Sequence, residues 1–140
     1  NQVICLAKYN DLIIAAKDNL KNSYSPYSHF AVSAALLTDS GKVYKGINIE
    51  NASYPAGICA ERAAFSSALS HGERNLSAIA IVCEKNDFCY PCGICRQFMA
   101  EFCNDDFEIV LNSGDDIRVI TLGELLPESF DKEVLHNENG

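Results

Sequence analysis

Residues 30–49 read FAVSAALLTDSGKVYKGINI, and this segment predicts a β-hairpin. Residues 30–37 are a nearly continuous apolar run, short enough for a buried strand. The sequence Asp-Ser-Gly-Lys at 39–42 is typical of a tight turn, and residues 43–49 are a second strand candidate. Just upstream, residues 22–28 are rich in turn formers and predict a loop. The sheet is therefore expected to begin with two strands that are neighbours in the chain.

Helix and strand signals continue on both sides of this hairpin. Apolar spacing predicts a surface helix before it, and an Ala-rich helix, an apolar strand and a helix that starts after a proline follow it. The predicted helices are Val3 to Leu20, Cys59 to Leu69, Cys92 to Phe102 and a short helical turn at Leu122 to Pro127. The predicted strands after the hairpin are Ser77 to Cys83, Phe107 to Leu111 and Ile117 to Ile120. The order indicates an α/β fold, a three-layer α/β/α sandwich around a mixed, mostly five-stranded sheet. The direction of the last strand pair stays open, and the length of 140 residues suits a single domain spanning 1–140.

The composition argues against several classes of function. No apolar run reaches the roughly 18 residues that a membrane span needs. The formal net charge is −8, and no basic cluster is present to neutralise phosphates, so a nucleic-acid substrate is disfavoured. The N-terminal residues carry no visible secretory signal, so a cytoplasmic protein that acts on a small neutral molecule is expected.

Seven cysteines stand at positions 5, 59, 83, 89, 92, 95 and 103. A disulfide framework is disfavoured because the number is odd, no secretory signal is visible and the chain is long enough to form a core without cross-links. Metal ligation or reactive thiols are the favoured use of these side chains.

Two short motifs hold the cysteines that suit a metal site. The first motif is Cys59-Ala60-Glu61-Arg62, and the second begins Pro91-Cys92-Gly93-Ile94-Cys95. Two thiols three residues apart project from one face of a predicted helix start. Helix N-termini lower the pKa of nearby thiols, and zinc is the natural ion for a sulfur-rich site. The predicted ligands are therefore Cys59, Cys92 and Cys95.

Three thiolates predict a catalytic rather than a structural zinc, since they leave one tetrahedral position open to water. Glu61 is expected to move a proton between this water and the substrate. Arg62 and Arg96 each stand beside a ligand motif and are candidates for hydrogen bonds to sulfur that offset the negative charge, with Arg62 favoured. A surface position for either arginine is the alternative.

Cys89 offers a competing ligand set, because the spacing from position 89 to 95 is Cys-x-x-Cys-x-x-Cys. Pro91 argues against it, since it starts the helix after Cys89 and leaves that residue in the preceding loop. A structural zinc held by all four thiolates stays open as well, and it would make the protein a binding module without chemistry. Cys5, Cys83 and Cys103 are expected to be small, buried core residues.

With these motifs in place, the chain resembles the small homotetrameric zinc-dependent cytidine deaminases. Zinc deaminases combine a His or Cys ligand and a nearby Glu with Pro-Cys-x-x-Cys. The segments that carry the likeness are Tyr27 to Phe30, Gly46 to Tyr54, the two cysteine motifs and Leu125 to Phe130. Ser33 is a departure, because the family usually has Gly there, where a strand packs closely. A cysteine at position 59, where deaminases of nucleotides and polynucleotides typically have His, favours the free-nucleoside branch.

The resemblance implies hydrolytic deamination of cytidine and 2′-deoxycytidine to uridine and 2′-deoxyuridine, with release of ammonia, in pyrimidine salvage. It implies one zinc ion per subunit of a homotetramer. Phe30 is then expected to pack against the pyrimidine, Asn48 and Glu50 to hydrogen-bond the ribose, and Ala60 to contact the substrate. The resemblance further implies that Tyr54 and Phe130 enter a neighbouring subunit's site. Deamination of another amino-heterocycle is the other enzyme hypothesis.

Overall fold

A mixed five-stranded sheet organises the structure, a computed structural model that describes residues 2–136 and the side chains of residues 7–135. Four of the five helices that the structure describes and all its strands lie close to their predicted positions, and the fifth helix, a short one near the C-terminus, was not predicted. The helices are α1 Gln2–Asn19, α2 Ala60–Ser70, α3 Gly93–Phe102, α4 Leu122–Leu125 and α5 Lys132–His136. The strands are β1 Val32–Thr38, β2 Val43–Ile47, β3 Leu76–Cys83, β4 Glu108–Ser113 and β5 Asp116–Thr121.

The strand order across the sheet is β2-β1-β3-β4-β5. β1 pairs antiparallel with both β2 and β3, β3 pairs parallel with β4, and β4 pairs antiparallel with β5. The parallel pair requires a crossover, which the segment containing α3 supplies. The sheet is therefore mixed, as predicted, and the last strand pair, whose direction the sequence left open, is antiparallel. Among the described residues, no helix is long and apolar enough to cross a membrane.

The two faces of the sheet bury separate clusters of apolar side chains. One cluster lies under α1 and uses small residues at several strand positions, including Ala35, Ala78 and Ala80. The other lies under α2 and α3 and contains larger side chains. Because strand side chains alternate between faces, each central strand contributes to both clusters. The three-layer α/β/α sandwich is therefore confirmed.

Phe65 holds α2 against α3 on the second face. Its ring is fully buried and meets the rings of Phe98, Phe102 and Phe107, with centroid distances of 6.0, 6.5 and 5.9 Å. Contacts of this edge-to-face or tilted kind are favourable for aromatic rings. The relative position of the two helices therefore depends on one aromatic cluster in the core.

The expectation for the remaining cysteines needs correction. Cys103 is only partly buried, where it packs against the core under α2 and α3. Cys83 is also half-buried, at the end of β3, and its thiol donates to the carbonyl of Lys85 at 3.2 Å. The Cys5 side chain lies outside the described residues. Cys83 is partly exposed because it lies at the end of its strand, and the sequence pattern does not show where the sheet ends.

α2 lies directly on β2, and Gly46 makes this approach possible. A Cβ at Gly46 would lie 2.9 Å from the carbonyl carbon of Ala63 and closer still to the backbone of Ala60 and Ala64. Ser33, the residue that departs from the family pattern, is fully buried next to Gly46 and donates its hydroxyl to the Gly46 carbonyl at 3.3 Å. The added side chain is thus accommodated with a hydrogen-bond partner.

Replacing Gly46 with Ala is expected to destabilise the protein, because the new methyl group collides with helix backbone that cannot rotate away. Overpacking of this kind typically costs about 1–3 kcal/mol, and chemical denaturation at fixed protein concentration measures it. Gly93→Ala is the matched control, since a Cβ there meets nothing within 4 Å; its effect should stay within about 0.5 kcal/mol. Equal stability of the Gly46→Ala variant and the parent would contradict the close approach.

Candidate active site

Three thiols meet where α2 and α3 begin. The Sγ atoms of Cys59, Cys92 and Cys95 all lie within 4.8 Å of one another. Cys59 is the N-cap of α2 and Cys92 the N-cap of α3, each with extended backbone, while Cys95 lies in the first turn of α3. Neither cap side chain bonds to its own helix backbone. Both helix N-termini therefore direct positive ends of their dipoles towards the same cluster.

The spacing of the sulfurs suits a tetrahedral zinc ion. Cys59 Sγ lies 3.9 Å from Cys92 Sγ, and Cys92 Sγ lies 3.6 Å from Cys95 Sγ. Two sulfurs bound to zinc at about 2.3 Å with a tetrahedral angle are about 3.8 Å apart. The donor set, three thiols and no fourth protein ligand among the described residues, also matches a zinc site that keeps one position open.

Cys89 does not belong to the thiol cluster. It lies in the loop before Pro91. Among the described residues, the sulfur atoms that lie within 4.8 Å of one another are those of Cys59, Cys92 and Cys95. The structure therefore does not support the four-thiolate site that the sequence left open.

Arg62, which the sequence favoured as a partner of sulfur, and Arg96, the second candidate, have different partners. Arg62 Nη2 lies 3.5 Å from Cys59 Sγ and donates to it. The pKa of the Cys59 thiol is well below its ordinary value, through hydrogen bonds first from Cys95 and then from Arg62. Arg96 instead donates to the carbonyls of Pro91 and Leu125, each at 2.8 Å. Arg96 thus ties α3 to α4, and its suggested contact with sulfur is not formed.

Glu61 is the buried carboxyl group of the site. It lies in the first turn of α2 and is 5% exposed. Burial raises the pKa of its carboxyl group, an effect partly opposed by a hydrogen bond from the Cys95 thiol. A carboxylate with a raised pKa can accept a proton and release it again near neutral pH. Glu61 therefore has the environment of a proton-transfer group and lies against the thiol cluster.

A cavity of about 550 Å³ opens beside these groups. Its volume lies in the usual range for a small-molecule site. Eight of the predicted site residues line it, namely Asn48, Glu50, Tyr54, Cys59, Ala60, Glu61, Arg62 and Cys92. Cys95 lies behind the wall, fully buried. Phe30 and Phe130 are not among the lining residues, and the Lys85 ammonium lies 5.5 Å from the centroid of the Phe30 ring.

Asn48 and Glu50 form a polar group on the cavity wall. The Asn48 side-chain oxygen accepts from the Val32 N–H at 3.0 Å, and its amide nitrogen donates to the Phe30 carbonyl at 2.8 Å. Glu50 Oε1 accepts from two backbone N–H groups, those of Tyr27 and Ser28, each at 3.0 Å. The pKa of Glu50 is lowered, first of all by the hydrogen bond from the Ser28 hydroxyl. The wall therefore presents an oriented amide next to an ionised carboxylate.

Several wall residues were missed by sequence reasoning. Ser28 and Tyr27 come from the predicted loop at 22–28, and Tyr90 comes from the segment before α3. Serine and tyrosine in a turn-rich stretch carry no spacing signal, so only the fold reveals that they face the cavity.

Replacing Cys92 with Ser is expected to weaken zinc binding, because a hydroxyl is a poor substitute for a thiolate. The loss should exceed the roughly 10–100-fold that follows removal of a ligand's hydrogen-bonding partner. Zinc per chain by elemental analysis and competition with a chromogenic chelator measure it. Cys89→Ser is the control and should keep its zinc; an equal loss in both variants would restore the four-thiolate site.

Comparisons with known proteins agree with this geometry. The family described as "Cytidine and deoxycytidylate deaminase zinc-binding region" matches residues 7–111. The cytidine deaminase of Sporosarcina psychrophila is 46% identical over 125 residues, covering 89% of this chain and 92% of that protein. That of Halalkalibacterium halodurans is 46% identical over 127 residues, covering 90% and 96%.

A solved structure shows the same fold. The crystal structure of cytidine deaminase from Burkholderia pseudomallei superposes with a TM-score of 0.83 at 48% identity and covers 86% of this chain and 98% of that one. The family match over residues 7–111 includes both cysteine motifs and the strands β1, β2 and β3. The chain therefore belongs to the family of zinc-binding cytidine and deoxycytidylate deaminases.

Proposed function

We propose that this protein hydrolyses cytidine and 2′-deoxycytidine to uridine and 2′-deoxyuridine, with release of ammonia. The observation that carries the proposal is one cavity with two chemically distinct parts. One part has the buried Glu61 against three thiols, and the other has Asn48 next to Glu50. The relatives named cytidine deaminase support the choice of substrate.

Cys59, Cys92 and Cys95 would hold the zinc ion. Zinc bound there supplies Lewis acidity, which makes water a usable nucleophile near neutral pH. Arg62 offsets part of the negative charge of the three thiolates through its hydrogen bond to Cys59. Less negative charge on the thiolates favours the loss of a proton from water, so Arg62 assists the reaction without touching the substrate.

Glu61 moves the protons of the reaction. It takes a proton from the attacking water, whose oxygen bonds to C4 of the pyrimidine, and gives that proton to N3. Glu61 then carries the remaining proton of that water, now on the oxygen bonded to C4, to the amino nitrogen as the C4–N bond breaks, so that one water enters and one ammonia leaves. The raised pKa of Glu61 suits a group that must hold the proton between these steps.

The cavity favours a nucleoside over a nucleotide. Among the side chains described as lining it, Arg62 carries the only fixed positive charge, and Arg62 is engaged with Cys59. Glu50 adds an ionised carboxylate to the same wall. A phosphate would therefore meet negative charge without a free cation to pair with. Deoxycytidylate, which the family description also names, is the less favoured substrate.

Replacing Glu61 with Gln is expected to keep zinc and the fold while turnover of cytidine falls by about 10²–10⁴-fold, the usual contribution of a general acid–base group. The amide is nearly the same size as the carboxylate but cannot accept and return a proton. The fall in ultraviolet absorbance as cytidine is consumed measures turnover, and elemental analysis measures zinc.

The parent protein, assayed on cytidine, 2′-deoxycytidine and deoxycytidylate, is the reference for this test. Zinc-loaded protein that leaves both nucleosides unchanged would contradict the proposed reaction. Faster turnover of deoxycytidylate than of either nucleoside would assign the nucleotide instead. Turnover by the Glu61→Gln variant close to that of the parent would remove Glu61 from its proposed role.

We further propose that four chains assemble and share their sites. Tyr54 lines the cavity yet is 78% exposed, and Phe130 is 60% exposed. Gln97 of α3 donates to the Phe130 carbonyl at 2.8 Å, which holds the segment of Phe130 against the middle of α3. Large exposed aromatic side chains beside a site suit contact with another chain.

We also propose that the protein acts in the cytoplasm, in pyrimidine salvage. The described cysteines are all free thiols, which fits a reducing compartment.

Phe130→Ala is expected to raise the KM for cytidine about fivefold or more while zinc per chain stays unchanged, since truncating an aromatic anchor at an interface commonly costs more than 1 kcal/mol. Sedimentation of the parent is expected to give the mass of four chains. A fully active monomer, or a variant whose KM equals that of the parent, would contradict the shared site.

A further inference from the structure

The Asn48 amide has a fixed capacity for hydrogen bonds, and the protein uses most of it. A primary amide offers two acceptor positions on its oxygen and two N–H donors. The backbone determines which way this amide points, because the Val32 N–H requires the oxygen and the Phe30 carbonyl requires the nitrogen. One acceptor position and one N–H are left after these two contacts.

Ser23 takes the remaining acceptor position. Its hydroxyl donates to the Asn48 side-chain oxygen from a site 25 residues earlier in the chain. With Val32 and Ser23 both bonded to the oxygen, the amide has a single free group, one N–H on its nitrogen. Asn48 can therefore donate one hydrogen bond to a ligand and accept none.

Ser23 is held beside Asn48 independently of its own hydroxyl. The next residue, Tyr24, donates its N–H to the Asn48 carbonyl at 3.0 Å and accepts from the Glu50 N–H at 2.9 Å. The Ser23 N–H itself donates to the Leu20 carbonyl at 3.1 Å. Removing the hydroxyl leaves these backbone contacts in place, so its effect should be local to the Asn48 amide.

Glu50 complements this single donor. Its Oε1 is bonded to two backbone N–H groups, and its Oε2 accepts from the Ser28 hydroxyl. A carboxylate oxygen has room for a further donor, so Oε2 can still accept one hydrogen bond. The pair thus offers one donor and one acceptor, the complement of one hydroxyl group, which both donates and accepts.

We propose that Ser23 is a positioning residue, which closes the second acceptor of Asn48 so that the amide presents one N–H to one sugar hydroxyl of the substrate. This inference rests on the proposed function, since it assigns the Asn48–Glu50 pair to the sugar. Without the Ser23 hydroxyl, the amide oxygen has an open acceptor position. Water can donate to it, or the sugar hydroxyl can donate to it instead of accepting from the amide N–H. The amide also loses one of its three restraints.

The test is the Ser23→Ala variant, assayed on cytidine and on three analogues that lack the 2′-, 3′- or 5′-hydroxyl. The KM for cytidine is expected to rise about three- to tenfold, the range for one lost hydrogen bond, while kcat stays within about twofold because the thiol cluster and Glu61 are untouched. The increase should vanish for one analogue only, the one without the hydroxyl that the pair binds. A merely structural role would raise KM for all four compounds alike.

Ser25→Ala is the matched control. Ser25 is half-buried like Ser23 and lies in hydrogen-bond range of it, with 3.3 Å between their hydroxyl oxygens, but it has no contact with Asn48. Its KM values should stay within about twofold of the parent. Ser23→Thr keeps the hydroxyl and should recover most of the affinity, and Ser23→Cys replaces Ser23→Ala if the alanine variant does not fold.

The outcomes separate this inference from the proposed function. If the parent does not deaminate cytidine, the proposed function fails. If the parent is active and Ser23→Ala has the parent's KM, or loses the same factor on every analogue, the positioning role of Ser23 is overturned while the deaminase assignment stands.

Discussion

The packing of α2 against α3 is the contact on which the site depends. Both helices lie on one face of the sheet, and Phe65 of α2 packs against the rings of Phe98 and Phe102 of α3. Gly46 lets α2 approach the sheet edge at its own first residues, close to Cys59. Because the thiols stand at the helix starts, any change in the angle between the helices would be carried directly into the sulfur distances. The core therefore sets the geometry of the chemistry, and Cys95 is itself a buried member of that core.

The environment of the site disfavours negative charge on one group and favours it on others. Burial disfavours the ionised form of Glu61, and the nearby Cys59 adds to that effect. Arg62 and the two helix N-termini act in the other direction and stabilise negative charge on sulfur. Across the cavity, the carboxylate of Glu50 is stabilised by three hydrogen bonds and has a lowered pKa. Two carboxyl groups in one cavity thus receive opposite environments, so that one suits proton transfer and the other permanent charge.

Much of the fold follows from local sequence, because apolar runs, turn residues and Pro91 act within a few positions. The thiol pair Cys92 and Cys95 is also local, since their spacing places both on one helix face. For residues with similar neighbours the sequence indicated a preference, here for Arg62, without excluding the other candidate. Arg62 and Arg96 both stand beside a ligand motif, yet only Arg62 reaches sulfur. The contact of Ser23 with Asn48 depends on a loop that pairs with a distant segment, and no periodic pattern marks such a contact. Phe30 stays a predicted site residue, although its ring does not line the cavity wall here.

The position of the three thiols also links the stability of the fold to the metal. Cys59 and Cys92 are 33 residues apart in the chain, and β3 lies between them. An ion bound to both would act as a removable cross-link that closes this loop, and closure of a loop lowers the entropy of the unfolded chain. The same three cysteines that bind the ion would then also cross-link the start of α2 to the start of α3. The supply of zinc during synthesis would consequently influence the fraction of molecules that reach the folded state.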